Sequence, residues 1–583
     1  MTNFDLHLLD YLAFFGYFIV LSFIGFWYGR GKKEDAADYF LAGKSLPWYV
    51  VGSSYIAANI STEHFIGLIG AAVIYGICVA TGEWSTVIAF TFLIWLFIPY
   101  LLTSKVLTAP EFLEKRFNRH MRLIFAMVSI LANVFAFMGP VIYGGSLILT
   151  EFFGMNAILA CVLIGTTTGG WVIWGGLKSA AFMDVLTILI MIIGGLSVTY
   201  LGLLHLGGGN GLLVGFRQMI DTNLGQLAWS QVWIEEQVPN ILKGAEKGSK
   251  YDRLSVIQPL NHYSNPWTHW VFSFFYIGLW YTVINQTMVQ KIFAAKDMYH
   301  ARAGMVLASF YKLLLPIIVV FPGLIYFAMR PDFLASNDWQ FMSDEANKTY
   351  IVMINTLVPT VMKGILLAAL FGAIQSTVSA VLNSTSTMLT VDIYQEYFQQ
   401  DRTPQHYIRY GRRIGLIILI ISILFAIILA TVTQVNLFIL IQALYTFIAP
   451  PFSAVFLLGV LWKRVNGLDA VTTVIAAFLM AGFLKFLEFG PLAASNSDLA
   501  GLIKPFANQA LITWCFAMII CTLSALISPA PPDPLSEDLT FSIKKGTLWE
   551  GLGGRWYNSI FFWWSLSILL LVIIIFWFSV GYS

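Results

Sequence analysis

Fourteen stretches of this chain are long and apolar enough to cross a bilayer, and that leaves the fold little freedom. They cover roughly residues 9–28, 49–75, 78–102, 121–152, 156–175, 180–206, 267–294, 301–329, 351–395, 408–432, 436–462, 468–487, 508–528 and 558–581. About 20 apolar residues span the hydrocarbon core. Inside it every backbone N–H and C=O must be satisfied by the protein, which favours helices. Only 11% of the 583 residues are charged, against about 25% in a typical soluble domain. The chain therefore reads as an all-α polytopic membrane protein with about 14 transmembrane helices. The 351–395 stretch is too long for one crossing, so its C-terminal part is expected to project as helix into the cytoplasm.

Charge sets the orientation. The first apolar run follows Asp5 and Asp10 and precedes Arg30, Lys32 and Lys33. A cleavable leader carries its positive charge before the apolar core, so this run reads as a retained span with its N-terminus outside. Alternate short loops carry Lys44, then Lys105, Lys115, Arg116 and Arg119, then Lys178, then Lys291, Lys296 and Arg302, then Arg402, Arg409, Arg412 and Arg413, then Lys463 and Arg464. The loops near 76–77, 153–155 and 433–435 carry none. Cytoplasmic loops concentrate Lys and Arg, which puts both termini outside; an even number of spans requires the same.

This divides the chain into an extra N-terminal helix with a cytoplasmic loop (1–48), five helices (49–206), an external loop (207–266), five more helices (267–462), two accessory helices (463–528), a cytoplasmic linker (529–557) and a C-terminal helix (558–583). Within the second set of five, residues 330–350 read as a further external loop. No segment is large enough for an enzymatic domain, and no nucleophile–base or metal motif is assembled, so the chain does not read as an enzyme. Without a phosphate-cradling Gly loop ending in Lys-Ser/Thr, ATP drive is not expected. A net charge of +2 gives no electrostatic case for a nucleic-acid partner. Cys78, Cys161, Cys515 and Cys521 fit neither a zinc site nor a disulfide frame and are expected to be four buried thiols.

Polar residues inside apolar runs are costly and point to function. Asn59-Ile60-Ser61 interrupts the second span, and Ile284-Asn285-Gln286 the seventh. They lie five spans apart, and five spans reverse orientation. Inverted repeats with two broken helices hold their cargo at the breaks. Ser376 and Thr377 place two hydroxyls side by side, with Ala373 one turn earlier. Facing an unwound stretch with free carbonyls at Ala57 and Ile60, they would make a site of neutral oxygens. Such a set suits a monovalent hard cation, whereas a divalent ion would be expected to recruit carboxylates. The alternative is that both hydroxyls bond to the preceding helical turn. Glu63, His64, Glu83, Asp184 and Lys312 also lie at membrane depth, with Glu83 and Lys312 able to form an ion pair. Trp280, Tyr281 and Phe438 flank the second break and the expected cavity.

The segment Asp38-Tyr39-Phe40-Leu41-Ala42-Gly43-Lys44-Ser45-Leu46-Pro47-Trp48, followed by Ala57-Ala58-Asn59-Ile60-Ser61, resembles the sodium/solute symporter family. So do Pro110-Glu111-Phe112-Leu113 with Arg116-Phe117, Gly175-Gly176-Leu177 with Asp184, Asn383-Ser384-Thr385 with Asp392-Ile393-Tyr394, and Ala454-Val455-Phe456-Leu457-Leu458-Gly459 with Trp462-Lys463. The similarity runs from about residue 10 to 530 and is greatest to the sodium/glucose (galactose) cotransporter branch. It implies a LeuT-type 5+5 inverted repeat formed by spans two to eleven. It also implies a sodium site at Ala57, Ile60, Ala373, Ser376 and Thr377. Asp184 and Ser379 match residues that mark a second sodium site or the exit path of the first. Asn59, His64, Glu83, Lys312 and Gln442 match residues that hold hexose hydroxyls, Tyr281 an aromatic inner gate and Phe438 an outer one. Thr282 replaces a Trp expected beside that Tyr, and Phe137 stands where a polar Asn is sometimes found.

The implied function is sodium-coupled import of a neutral sugar, a hexose such as glucose or galactose, by alternating access. Na+ is the coupling ion and the only metal expected, and the location is the plasma membrane, as in a bacterial inner membrane. A cyclitol or a monocarboxylate is the alternative cargo. A sensor or uncoupled conductance on the same scaffold is a further alternative, although the 529–557 linker is too short for a signalling domain.

Overall fold

Polar interruptions decide where the helices break. A computed structural model describes residues 6–30, 35–224, 252–260, 262, 265–331, 339–432, 437–492, 497–529, 539–540 and 546–580. Helix Trp48–Asn59 ends at Ile60, which is extended (φ −84, ψ 121), and the chain resumes as a widened π turn over Glu63–Leu68 and then as helix Ile69–Tyr75. The seventh span does the reverse. A widened turn over Trp280–Ile284 leads into extended Asn285, and helix Gln286–Phe293 follows, with the Asn285 side chain capping its start at Thr287 N (3.0 Å). Such π turns concentrate at functional sites. The expected breaks at both amide-containing triplets are therefore present.

Among the described residues there is no strand; one isolated bridge joins Leu46 to Ala295. Among the described residues eleven helical runs are long and apolar enough to cross a membrane. The run Glu63–Thr103 joins the second half of the second segment to the third, and Ala157–Leu206 holds the fifth and sixth. The latter bends at Gly176 (φ +70), where any β-carbon would meet the Tyr39 carbonyl at 2.6 Å.

Close backbone packing places the site. Helix Trp48–Asn59 lies beside helix Met298–Val319 with Gly52 against Gly304; a β-carbon on Gly52 would sit 2.4 Å from the Gly304 carbonyl. Small residues allow this approach between membrane helices. Two turns further along both helices, the same alignment brings Lys312 opposite Asn59 at the break. Helix Met362–Thr387 packs against both Ala157–Leu206 and Trp48–Asn59, which carries Ser376 and Thr377 to the other side of that break.

The 351–395 segment is divided differently from the sequence expectation. Helix Trp339–Leu357 is separate, and a second helix runs from Met362 to Thr387 and continues as a widened helix to Phe398. Between them Val361 has φ +75. Asp10, from the first helix, accepts from Val361 N (2.6 Å) and Gly364 N (3.2 Å) and so caps the second helix. The part of 330–350 expected as loop is thus helical from Trp339. Its polar residues concealed an amphipathic stripe in which Ala346, Thr349, Tyr350, Met353 and Ile354 are buried at helical spacing.

The 207–266 loop likewise contains helix Leu212–Leu224, and residues 225–251 lie outside the described residues. Its later part docks on the first broken helix. The Arg253 guanidinium donates to the carbonyls of Ile74 (2.9 Å), Ala72 (3.1 Å) and Val73 (2.7 Å), and Ile77 N donates to Arg253 O (2.7 Å). These bonds engage carbonyls of the helix's last turn, where intrahelical partners run out; Ala72 O also accepts from the Gly76 amide. Nearby His262 is fully buried and accepts from Asn265 N through Nδ1 (2.9 Å); burial pushes its imidazole down to about 3. Of the four cysteines, Cys78, Cys161 and Cys521 are buried as expected, but Cys515 is exposed on the outward side of helix Phe506–Ile527.

The motif residues around Asp392 form a buried charge cluster. Asp392 accepts from Arg122 Nε (2.9 Å) and Thr108 Oγ1 (2.8 Å), while Arg122 also reaches Glu114 (2.5 Å) and Glu396 (3.0 Å).

Candidate functional site: an oxygen cluster and a polar cavity at one helix break

The Thr377 hydroxyl oxygen lies 3.2 Å from both the Ala58 and Ile60 carbonyls. One hydroxyl carries one hydrogen and can satisfy only one of them. Ser376 Oγ, the neighbouring oxygen, is buried beside the Asp184 carboxylate. The Ser61 amide, which in a continuing helix would bond the Ala57 carbonyl, donates instead to His64 Nδ1 (3.3 Å). The break therefore gathers neutral oxygens that outnumber their hydrogens, a donor set suited to a monovalent cation. The structure brings Ile60 and Thr377 together, with Ala58 rather than Ala57 within reach of the hydroxyl. Ala373 is buried one turn before on the same helix.

Asp184 is buried beside this cluster, accepts from Ser54 Oγ (2.6 Å) and neighbours Ser376; Lys291 is its buried cationic neighbour. Ser379 donates to the Thr168 carbonyl (3.3 Å). Asp184 thus shares its surroundings with Ser376 and Ser54, while Ser379 faces the helix segment before the Gly176 bend.

On the other side of the break, Asn59, His64, Glu83, Tyr281, Lys312 and Gln442 line one cavity of about 100 Å³. Glu83 bridges two partners: Lys312 Nζ donates to Oε2 (2.5 Å), and His64 Nε2 lies 3.2 Å from Oε1. Because His64 Nδ1 accepts from the Ser61 amide, the ring proton belongs on Nε2, facing Glu83. The Asn59 amide is used at both ends: its oxygen accepts from Lys312, and its nitrogen donates to the Tyr281 hydroxyl (2.7 Å). Gln442 Nε2 donates to Glu63 Oε1 (3.3 Å).

Sequence reasoning noted the charge of Glu63 without giving it a role, and missed Thr86, His269 and Tyr445, which line the same cavity. Tyr445 was legible in principle, being one turn past Gln442 on the same face. Thr282 lines the cavity but donates its hydroxyl to the Gly278 carbonyl (2.7 Å). Phe137 backs the wall, stacked on Tyr445 (centroids 4.7 Å apart) and near Tyr281 (6.4 Å). Phe438 belongs to helix Leu437–Leu461, and its side chain lies outside the described residues.

Comparison with known proteins places the chain in a family. The model of the sodium:solute symporter family matches residues 39–477. A sodium/glucose cotransporter of Vibrio parahaemolyticus is 32% identical over 556 residues, covering 93% of this chain and 95% of that protein. The human sodium/myo-inositol cotransporter is 28% identical over 543 residues, covering 91% of this chain and 74% of its own length. A substrate-bound, outward-open structure of a Na+-coupled sialic acid symporter shares the fold, with a TM-score of 0.71 at 20% identity, covering 90% of this chain and all of the other. The chain is a multi-pass membrane transporter rather than an enzyme, Na+ is its coupling ion, and it belongs to the sodium:solute symporter family.

Proposed function

We propose that this sodium-coupled symporter imports a neutral polyol, a hexose such as glucose or galactose, by alternating access around the break at Asn59–Ser61. The observation that carries the reading is the Glu83-centred network, in which an acceptor bridges an ammonium and an imidazole in one cavity. Glu83 accepts, Lys312 donates, and Asn59, His64 and Gln442 can do both. That mixture complements several hydroxyl groups. A monocarboxylate would meet Glu63 and Glu83 with Lys312 already held by Glu83 and Asn59; recognition of an anion favours an uncommitted Arg or a cluster of donors.

In this reading sodium is held by Ala57, Ile60, Ala373, Ser376 and Thr377, with Ala58 contributing. Asp184 and Ser379 mark a second sodium or the exit path. Tyr281 is the inner gate, fixed by Asn59, and Phe438 the outer one. Residues 49–206 and 267–462 are the two inverted five-helix repeats of a LeuT-type, fourteen-helix protein with both termini outside, in the plasma membrane or a bacterial inner membrane.

A cyclitol is the second reading. It is favoured by the likeness to a protein named as a sodium/myo-inositol cotransporter and by Thr282, which changes one wall of the cavity. Uptake by purified protein in liposomes tests both, using labelled hexoses, myo-inositol and monocarboxylates with and without an inward sodium gradient. Gradient-driven accumulation of a hexose supports the first reading and that of myo-inositol alone the second; accumulation of a monocarboxylate alone rejects both.

A further inference from the structure

A second polar cavity shares no lining residue with the first. It is an open cleft of about 350 Å³ where the end of helix Leu8–Gly29, the bend near Gly176 and the start of helix Pro404–Val432 meet. Arg30, Arg409 and Arg412 line it together with Trp174, Gln405 and Ile408; among the described residues no carboxylate does. Arg412 Nη2 donates to the Trp174 carbonyl (3.3 Å), whereas its Nε is buried without a hydrogen-bond partner. Arg30 is held over the Trp27 ring at 3.6 Å.

Arg30 and Arg409 are exposed and Arg412, which lies over the Tyr39 ring, is half-buried; together they give the cleft an excess of positive charge, and each offers the planar fork that fits phosphate oxygens. The wall toward the bilayer supplies the second half of the argument. Phe26 and Trp174 stack with centroids 5.4 Å apart, and Phe26, Trp27, Trp174, Leu416 and Ile417 are exposed apolar residues on the same three helices. A basic pocket bordered by an apolar membrane-facing wall matches an amphiphile with a phosphate head. Basic pockets between transmembrane helices on the cytoplasmic side bind acidic lipid headgroups, and the basic loops of this chain read as cytoplasmic.

We propose that this pocket binds the phosphate headgroup of an anionic phospholipid, with Arg30, Arg409 and Arg412 on the headgroup and the Phe26–Trp174 wall against an acyl chain. A free phosphate ion shares the head chemistry but makes no use of the wall.

Native mass spectrometry of the full-length protein in neutral detergent tests this by titration with phosphatidylglycerol, phosphatidylcholine and inorganic phosphate. Phosphatidylglycerol should bind in preference to phosphatidylcholine, and Arg409→Gln/Arg412→Gln should weaken it at least about tenfold. Inorganic phosphate should not displace it. Sodium-driven uptake in neutral-lipid vesicles reports whether the variant is folded. If it is not, a phosphatidylglycerol with a photoactivatable headgroup should label wild-type residues 405–412 and the Trp174 segment. Equal binding by wild type and folded variant, or labelling elsewhere, overturns the proposal. Saturation by inorganic phosphate with displacement of the lipid overturns the lipid assignment and leaves a free-anion site.

Discussion

Replacing Glu83 by Gln keeps the side chain's shape and removes its charge. Lys312, buried with Glu83 at 2.5 Å, would then retain only the neutral oxygen of Asn59 as a close acceptor. Breaking a buried ion pair on one side costs about 3–5 kcal/mol, less whatever Lys312 recovers by shedding its proton. The solute separately loses a charged acceptor worth about 1.5–3 kcal/mol, or roughly a ten- to 150-fold rise in half-saturating concentration. Sodium binding should persist, because the Thr377 cluster has no bond to Glu83. The assay is uptake of labelled solute in proteoliposomes at a fixed sodium gradient, paired with binding of radiolabelled sodium and a thermal unfolding midpoint. Glu83→Gln/Lys312→Gln supplies the control: removing both charges should recover much of the stability but none of the solute affinity. Wild-type saturation of Glu83→Gln by every solute tested would refute this reasoning. So would a double variant that regains affinity along with stability, since recognition would then be a by-product of packing.

Ser376→Ala/Thr377→Ala removes two neutral oxygens, each worth about 1.5–3 kcal/mol if it holds a cation; the sodium concentration for half-maximal uptake should rise at least tenfold, and an unchanged value removes these residues from the site. In Asp184→Asn, a reversal potential measured at clamped voltage should shift from two sodium ions per solute to one if Asp184 holds a second ion; a wild-type value of one assigns it to the exit path alone. Folding of the 252–265 segment should weaken in acid, with His262 depressed to about 3 when buried and near 6.5 when exposed. The neutral ring then favours docking above pH 6.5, and about 1.4 kcal/mol is lost per unit as pH falls toward 3. Hydrogen exchange of that segment at pH 7 and pH 5 measures it, and equal opening free energies would contradict the burial argument.

The two breaks could be read directly because amides in apolar runs have few other uses. The pairing of Glu83 with Lys312 was legible for a related reason: each is too costly at membrane depth without a partner. What escaped notice was the helix at Trp339–Leu357. Its Asn347, Lys348 and Thr349 lower the average hydropathy of the segment, although Ala346, Tyr350 and Met353 form a buried stripe. Asp10 was read only as an outside charge, yet it caps a helix more than 350 positions away; nothing local signals such a bond. Glu63 shows the same limit, since its partner Gln442 is brought to it only by the packing of helix Leu437–Leu461. Cys515 was assigned to the interior from its apolar neighbours, but in a membrane the outward face of a helix is apolar too.

Asn59 and Ile60 are consecutive residues that face different guests. The Asn59 amide is held by Lys312 and Tyr281 on the cavity side, and the Ile60 carbonyl meets Thr377 on the oxygen-cluster side. The Ile60 amide still donates to the Ile56 carbonyl (2.9 Å), and past it the Ser61 amide turns to the His64 ring, so the two residues share the frayed end of one helix and fixing one narrows the freedom of the other. On the proposed assignments the two occupants are thermodynamically linked through two consecutive residues at that helix end. Linkage is reciprocal: whatever factor sodium contributes to solute affinity, the solute must return to sodium, typically about 5- to 150-fold. A substitution that loosens this joint, such as Ile60→Gly, should therefore lower both factors equally while leaving each guest's affinity in the absence of the other nearly intact.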